Sequence, residues 1–148
     1  HRRPRRSAAR RPRTRSTQVT IVLDSWAVLR YLEDAQPAAD LVAALLDEQE
    51  PLMSWINLGE VHYVLRRAHG EHAATETVRD LREVIDVRLP DERLVLDAAR
   101  IKADNPMAFA DAFGAALTVA ERAILWTGDS ELLVDGAAWL WRDLRSAE

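Results

Sequence analysis

The chain has 148 residues, of which 30% are charged and none is cysteine, so disulfides, thiolate metal sites and cysteine nucleophiles are excluded. Its net charge of −4 is unevenly distributed, because residues 1–18 hold eight of the 20 basic residues and no acid. Residues 19–148 therefore carry 12 basic and 24 acidic residues, a net charge of −12, which argues against binding nucleic acid through overall positive charge and favours carboxylates gathered for a cation.

Residues 1–18 are rich in arginine and contain no aliphatic side chain larger than alanine. Such a segment cannot bury enough apolar surface to offset the entropy of ordering, so we expect a disordered arginine-rich tail. Residues 19–148 have the size of one ordinary domain. No apolar run approaches the roughly 18 to 20 residues that span a bilayer, and no secretory signal follows the arginines, which predicts a cytoplasmic protein that does not associate with a membrane.

The rest of the chain alternates between short apolar runs and helical patterns. The apolar runs predict strands over residues 20–24, 51–55, 86–90, 123–129 and 137–141. Helical spacing predicts helices over residues 25–34, 37–50, 57–70, 72–85, 91–105 and 109–123. This alternation is typical of a three-layer α/β domain, with a mostly parallel central sheet of four or five strands flanked by helices.

Four acidic residues are predicted at the edge of the sheet where ligands usually bind. Asp24 and Asp129 end two strands, and Glu60 and Asp111 lie near the starts of two helices. Each also has a purely structural interpretation: an N-cap for Asp24, a turn residue for Asp129, a capping box for Asn57 with Glu60, and a favourable helix-dipole charge for Asp111. Because helices begin where parallel strands end, the four carboxylates should converge, and they would repel one another unless a cation neutralised them.

The composition of this predicted cluster indicates its chemistry. Carboxylates without cysteine or a paired histidine select Mg²⁺ or Mn²⁺ over zinc. A divalent ion held in this way lowers the pKa of water and stabilises charge on a phosphoryl oxygen, which predicts hydrolysis of a phosphodiester. Ser25 and Thr127 lie close to Asp24 and Asp129 in the sequence. Their hydroxyls could orient a ligand or water, or they could form hydrogen bonds that only stabilise a helix start and a strand end.

Three longer stretches match a known family in order and spacing: IVLDSWAVLRYL, SWINLGEVHYVL and FADAFGAALTVAERAILWTGDSEL, within residues 20–132. They resemble the PIN-domain ribonucleases, particularly the VapC toxins of bacterial and archaeal toxin–antitoxin pairs. The last stretch is the most specific, because an acid early in an alanine-rich helix is followed by a strand and Thr-Gly-Asp. The chain departs from the family pattern at two places. Trp26 lies where small residues are common in the family, and the arginine-rich tail is not part of the family pattern.

The resemblance implies a Mg²⁺- or Mn²⁺-dependent endoribonuclease. In such an enzyme Asp24, Glu60, Asp111 and Asp129 would be catalytic, Asp24, Asp111 and Asp129 would bind the metal, and Ser25, Asn57 and Thr127 would support them. The resemblance also implies a homodimer, an RNA substrate and a VapB-like antitoxin as partners.

Basic residues outside the tail are candidates for contacts with RNA phosphates. These are Arg66, Arg67, Arg100 and Lys102, although a solvated helix face is the more common role of any one of them. The alternative to a nuclease is a non-catalytic PIN scaffold or an RNA-binding module, in which the acids are only helix caps. Phosphate-receiver and haloacid-dehalogenase folds fit poorly, because the first needs a late lysine and the second needs an aspartate at the position of Trp26.

Overall fold

The structure, a computed structural model, describes residues 18–147, and a five-stranded sheet is at its centre. Its strands are β1 (Ile21–Leu23), β2 (Leu52–Ser54), β3 (Asp86–Arg88), β4 (Ile124–Thr127) and β5 (Leu140–Asp143). Within the described residues the strand order is β3-β2-β1-β4-β5, and every adjacent pair is parallel. The predicted sheet is therefore confirmed, whereas residues 1–17 of the predicted tail lie outside the described residues.

Six helices join the strands in the described chain: α1 (Ser25–Leu32), α2 (Ala38–Glu48), α3 (Trp55–His69), α4 (Glu71–Val84), α5 (Glu92–Asp104) and α6 (Phe109–Ala120). Asp24, Ser54 and Asp91 cap α1, α3 and α5 by accepting a hydrogen bond from a backbone N–H of the first turn. Gly70, with φ +91°, ends α3 in a conformation that residues with side chains disfavour. None of the helices described is long and apolar enough to cross a membrane.

Both faces of the sheet are covered by helices, which makes the domain three-layered. In β1, Ile21 and Leu23 pack in one core with α1 to α4, and Val22 points to the opposite face and packs in a second core with α5 and α6. Burial on both faces explains why β1 is a continuous apolar run instead of an alternating one. The predicted three-layer α/β fold is confirmed.

The order of the strands changes direction between β1 and β4. From β1 the chain moves outward through β2 to β3, and it then crosses to the other side of β1 to form β4 and β5. In open parallel sheets a crevice forms at such a point, outside the carboxyl ends of the strands. Asp24 directly follows β1, and Asp129 follows β4 after one glycine, so both lie at this switch point.

The last strand lies later in the chain than its apolar pattern predicts. β5 begins at Leu140 and not at residue 137. Trp139 precedes the strand, because pairing with β4 begins at Leu140, opposite Ile124. The Trp139 indole is buried in the core, and its ring N–H donates to the carbonyl of Leu132 at 2.9 Å.

Candidate active site

A cleft of about 220 Å³ opens at the switch point. It is lined by Ser25, Trp26, Leu29, Glu60, Val64, Asp111 and Asp129. Three of the four predicted catalytic acids thus share one cleft. The fourth, Asp24, is buried. Its carboxylate lies close enough to Asp129 and Glu60 to interact electrostatically with both.

Asp24 ties the end of β1 to the end of β4. Its Oδ1 accepts the backbone N–H of Ala27 at 2.9 Å, as expected of an N-cap, and its Oδ2 accepts a hydrogen bond from the Thr127 hydroxyl. The Thr127 oxygen in turn accepts the backbone N–H of Asp129 at 3.0 Å. Burial raises the pKa of Asp24 to about 7, although its hydrogen bonds with Thr127 and Ala27 lower it. The charges of Asp129 and Glu60 add to the rise.

Asp111 lies in the first turn of α6, where the helix dipole favours a negative charge. Its side chain is nevertheless nearly buried, and burial raises its pKa to about 7, reinforced by the charges of Asp129, Glu60 and Asp24 and by a hydrogen bond with Asp129. The repulsion among four carboxylates that the sequence predicts is therefore present. A cation between them would relieve it.

The tightest grouping of carboxylates includes an acid that the sequence analysis missed. Asp111, Asp129 and Glu131 each place a carboxylate oxygen within 4.8 Å of the other two. Glu131 is brought there by a turn in which Asp129 Oδ1 accepts the Glu131 N–H at 3.0 Å. Asp24, predicted as a metal ligand, is not in this trio. Only carboxylate oxygens make up the trio, and such a donor set fits Mg²⁺ or Mn²⁺.

Asn57 links three of the elements that carry these acids, but not through the capping box considered from the sequence. That interpretation is wrong, because α3 begins at Trp55 with Ser54 as its N-cap and Asn57 lies inside the first turn. The Asn57 amide donates to the carbonyl of Ala110 at the start of α6, at 2.9 Å, and the Asn57 backbone carbonyl accepts the Ser25 hydroxyl at 3.1 Å. Asn57 therefore holds the start of α1, helix α3 and the start of α6 together.

Replacing Asn57 with alanine is expected to destabilise the fold by about 1–3 kcal/mol, because the Asn57 side chain is fully buried and its hydrogen bond to the carbonyl of Ala110 would be lost. Urea denaturation measures the change. Asn105→Ala is the matched control: its amide also donates to a helix carbonyl at 2.9 Å, that of Ile101, but Asn105 is only half-buried and water can replace the bond. Equal losses in the two variants would contradict the linking role of Asn57.

The predicted RNA-binding residues lie outside the cleft and have other partners. Arg66 pairs with Glu71 at 2.7 Å, and the guanidinium of Arg67 stacks on Tyr63. Two more lie on α5: Arg100 pairs with Asp97 at 2.9 Å, and the Lys102 ammonium donates to the carbonyl of Met107 at 2.7 Å. All four are exposed, and their contact with RNA stays a prediction.

Solved structures with a similar fold include VapBC complexes and a VapC toxin. VapBC2 from Rickettsia felis, bound to a DNA fragment from its promoter, has 12% sequence identity and a TM-score of 0.68 over 84% of this chain and 98% of that one. VapBC-1 from nontypeable Haemophilus influenzae has 21% identity and a TM-score of 0.66 over 86% and 99%. VapC20 from Mycobacterium tuberculosis, a sarcin-ricin loop cleaving toxin, has 21% identity and a TM-score of 0.62 over 75% and 91%.

At these identities the structural likeness shows the fold. Comparison with curated proteins finds no match. The family model of the PIN domain matches residues 21–135, a span that includes all five acids of the candidate site. By this match over most of its length, the chain belongs to the PIN domain family.

Proposed function

We propose that this protein is a metal-dependent endoribonuclease and the toxin of a VapBC-type toxin–antitoxin pair. The observation that carries the proposal is the trio of Asp111, Asp129 and Glu131, whose oxygens lie within 4.8 Å of one another at the switch point of the sheet. Asp24 and Glu60 lie close enough to shift the pKa of Asp111. Carboxylates that only cap helices have no need to converge in this way.

Asp111, Asp129 and Glu131 would together hold Mg²⁺ or Mn²⁺. The buried carboxylate of Asp24 would add negative charge next to the ion. When bound, the ion would lower the pKa of an attacking water and stabilise charge on the scissile phosphate. Glu60 lines the cleft outside the trio and would accept the proton of that water. Thr127 fixes the orientation of the Asp24 carboxylate, and Ser25, bonded to Asn57, fixes the start of α1.

The partners follow from the same proposal. The structures similar to this chain include VapBC complexes and a toxin that cleaves the sarcin-ricin loop, which supports an RNA substrate and a VapB-like antitoxin. We place the protein in the cytoplasm as a homodimer, with residues 19–148 as the nuclease domain. Arg66, Arg67, Arg100 and Lys102 remain candidates for contacts with the RNA backbone away from the cleft.

Incubation of the purified protein with total RNA tests the proposal. Cleavage at specific positions is expected with Mn²⁺ or Mg²⁺ and no cleavage with a chelator, because the carboxylate cluster alone supplies no positive charge to the phosphate. Mapping of the RNA ends identifies the cut. RNA that is bound but left intact with either metal would favour the non-catalytic scaffold instead.

A further inference from the structure

The cleft is lined by Ser25 and by two chemically different groups of side chains. Glu60, Asp111 and Asp129 are acidic, and Trp26, Leu29 and Val64 are apolar. An RNA strand is a polyanion, so the carboxylates themselves repel it, and a bound cation would attract only the scissile phosphate. The apolar side chains of the lining offer a base a surface to pack against inside this cleft.

The indole of Trp26 is held in place by neighbours from two elements. A Cβ at Gly128, in the turn after β4, would lie 2.3 Å from two carbons of the Trp26 ring, so the ring packs directly on the glycine backbone. The guanidinium of Arg30, one turn further along α1, lies 4.8 Å from the ring centroid. The position of the indole at the cleft is therefore fixed by the fold, and a cation accompanies it.

We infer that Trp26 contacts the nucleobase next to the cleaved phosphate and helps to determine which RNA sequence is cut. This inference rests on the proposed ribonuclease function. A strand whose phosphate reaches Asp111 and Asp129 brings the adjoining nucleoside to the same cleft, where Trp26 is the aromatic lining residue. Proteins recognise unpaired bases by packing them against aromatic and Arg side chains, and Trp26 with Arg30 provides both.

The test is steady-state kinetics of Trp26→Ala on an RNA oligonucleotide that contains the mapped cut. KM is expected to rise roughly 10-fold or more, as the loss of one base–aromatic contact implies, and the preference for bases beside the cut is expected to relax. Trp26→Phe should keep most of the affinity. The rise in melting temperature caused by Mn²⁺ should be unchanged in both variants, because neither change removes a carboxylate.

Trp55→Ala is the matched control. Its indole also carries a stacked guanidinium, that of Arg82 at 4.9 Å from the ring centroid, but it does not line the cleft. KM and the cut pattern should be the same as in the unmodified protein. If Trp26→Ala does not fold, Trp26→Leu keeps an apolar side chain without the aromatic ring, and the same rise in KM is expected.

Two outcomes separate this inference from the function on which it rests. Metal-dependent cleavage by Trp26→Ala or Trp26→Leu with unchanged KM and unchanged cut positions would overturn the role of Trp26 and leave the nuclease proposal standing. Absence of cleavage by the unmodified protein with Mn²⁺ and Mg²⁺ would overturn both.

Discussion

Replacing Asp111 with asparagine is expected to reduce Mn²⁺-dependent cleavage of RNA by roughly 10³-fold or more, because a catalytic metal supplies several kcal/mol of transition-state stabilisation. Asp111 places a carboxylate oxygen within 4.8 Å of oxygens of both Asp129 and Glu131. The amide has nearly the same shape, but it carries no charge to hold the cation. The turnover rate on the mapped RNA oligonucleotide is the measurement.

Asp143→Asn is the matched control for this prediction. Asp143 lies opposite Thr127 at the carboxyl end of β5, on the same edge of the sheet, but its carboxylate pairs with Arg145 at 2.8 Å and does not line the cleft. Its replacement should leave cleavage unchanged. Undiminished cleavage by folded Asp111→Asn would refute the assigned metal site, and an equal loss in Asp143→Asn would show that the effect is not specific to the cleft.

The meeting of Asp24, Glu60, Asp111 and Asp129 was predictable because it depends on topology. In a parallel sheet the strand ends and the following helix starts share one edge, so acids at those positions lie on the same side of the domain, and those next to the switch point come together. A role as a helix cap or turn residue does not exclude a role in the cluster. Asp24 is a true N-cap and is at the same time buried next to the other carboxylates.

The details that escaped prediction depend on contacts between residues distant in sequence or on a choice between equal local signals. Ser54 and Asn57 are both good caps, and the end of β2 at Ser54 decides between them, which frees Asn57 to bond with α6. Glu131 reads as a solvated loop acid, and only the turn at Asp129 brings its side chain to the cluster. The start of β5 depends on where its pairing with β4 begins, and that is a tertiary contact between distant parts of the chain.

The metal-free protein is expected to lose stability as the pH rises from about 5 to about 8, by on the order of a few kcal/mol in the free energy of unfolding. Burial raises the pKa of both Asp24 and Asp111 from 3.8 to about 7. Between these two values the folded protein keeps protons that the unfolded chain has released. The stabilisation is therefore complete below pH 3.8 and is lost as the pH rises through about 7.

Carboxylates with the opposite shift do not mask this trend. Hydrogen bonds with Arg66 and Arg145 lower the pKa of Glu71 and Asp143, respectively. The stability that such groups contribute is present above their ordinary pKa values of 4.5 and 3.8 and is lost only as the pH falls below them. Urea denaturation in chelator between about pH 5 and about pH 8 therefore reports mainly on the site.

Mn²⁺ should oppose this loss of stability, because it binds the ionised carboxylates of the folded state and must displace their protons. The rise in melting temperature on adding Mn²⁺ is expected to be larger at pH 8 than at pH 5. Asp111→Asn should flatten the pH dependence measured in chelator, since it removes one of the two buried acids, and it should also weaken the response to Mn²⁺. A stability that stays level or increases across this range in chelator would mean that Asp24 and Asp111 are ionised in the folded protein without a cation, and the electrostatic reason for a metal at this site would be gone.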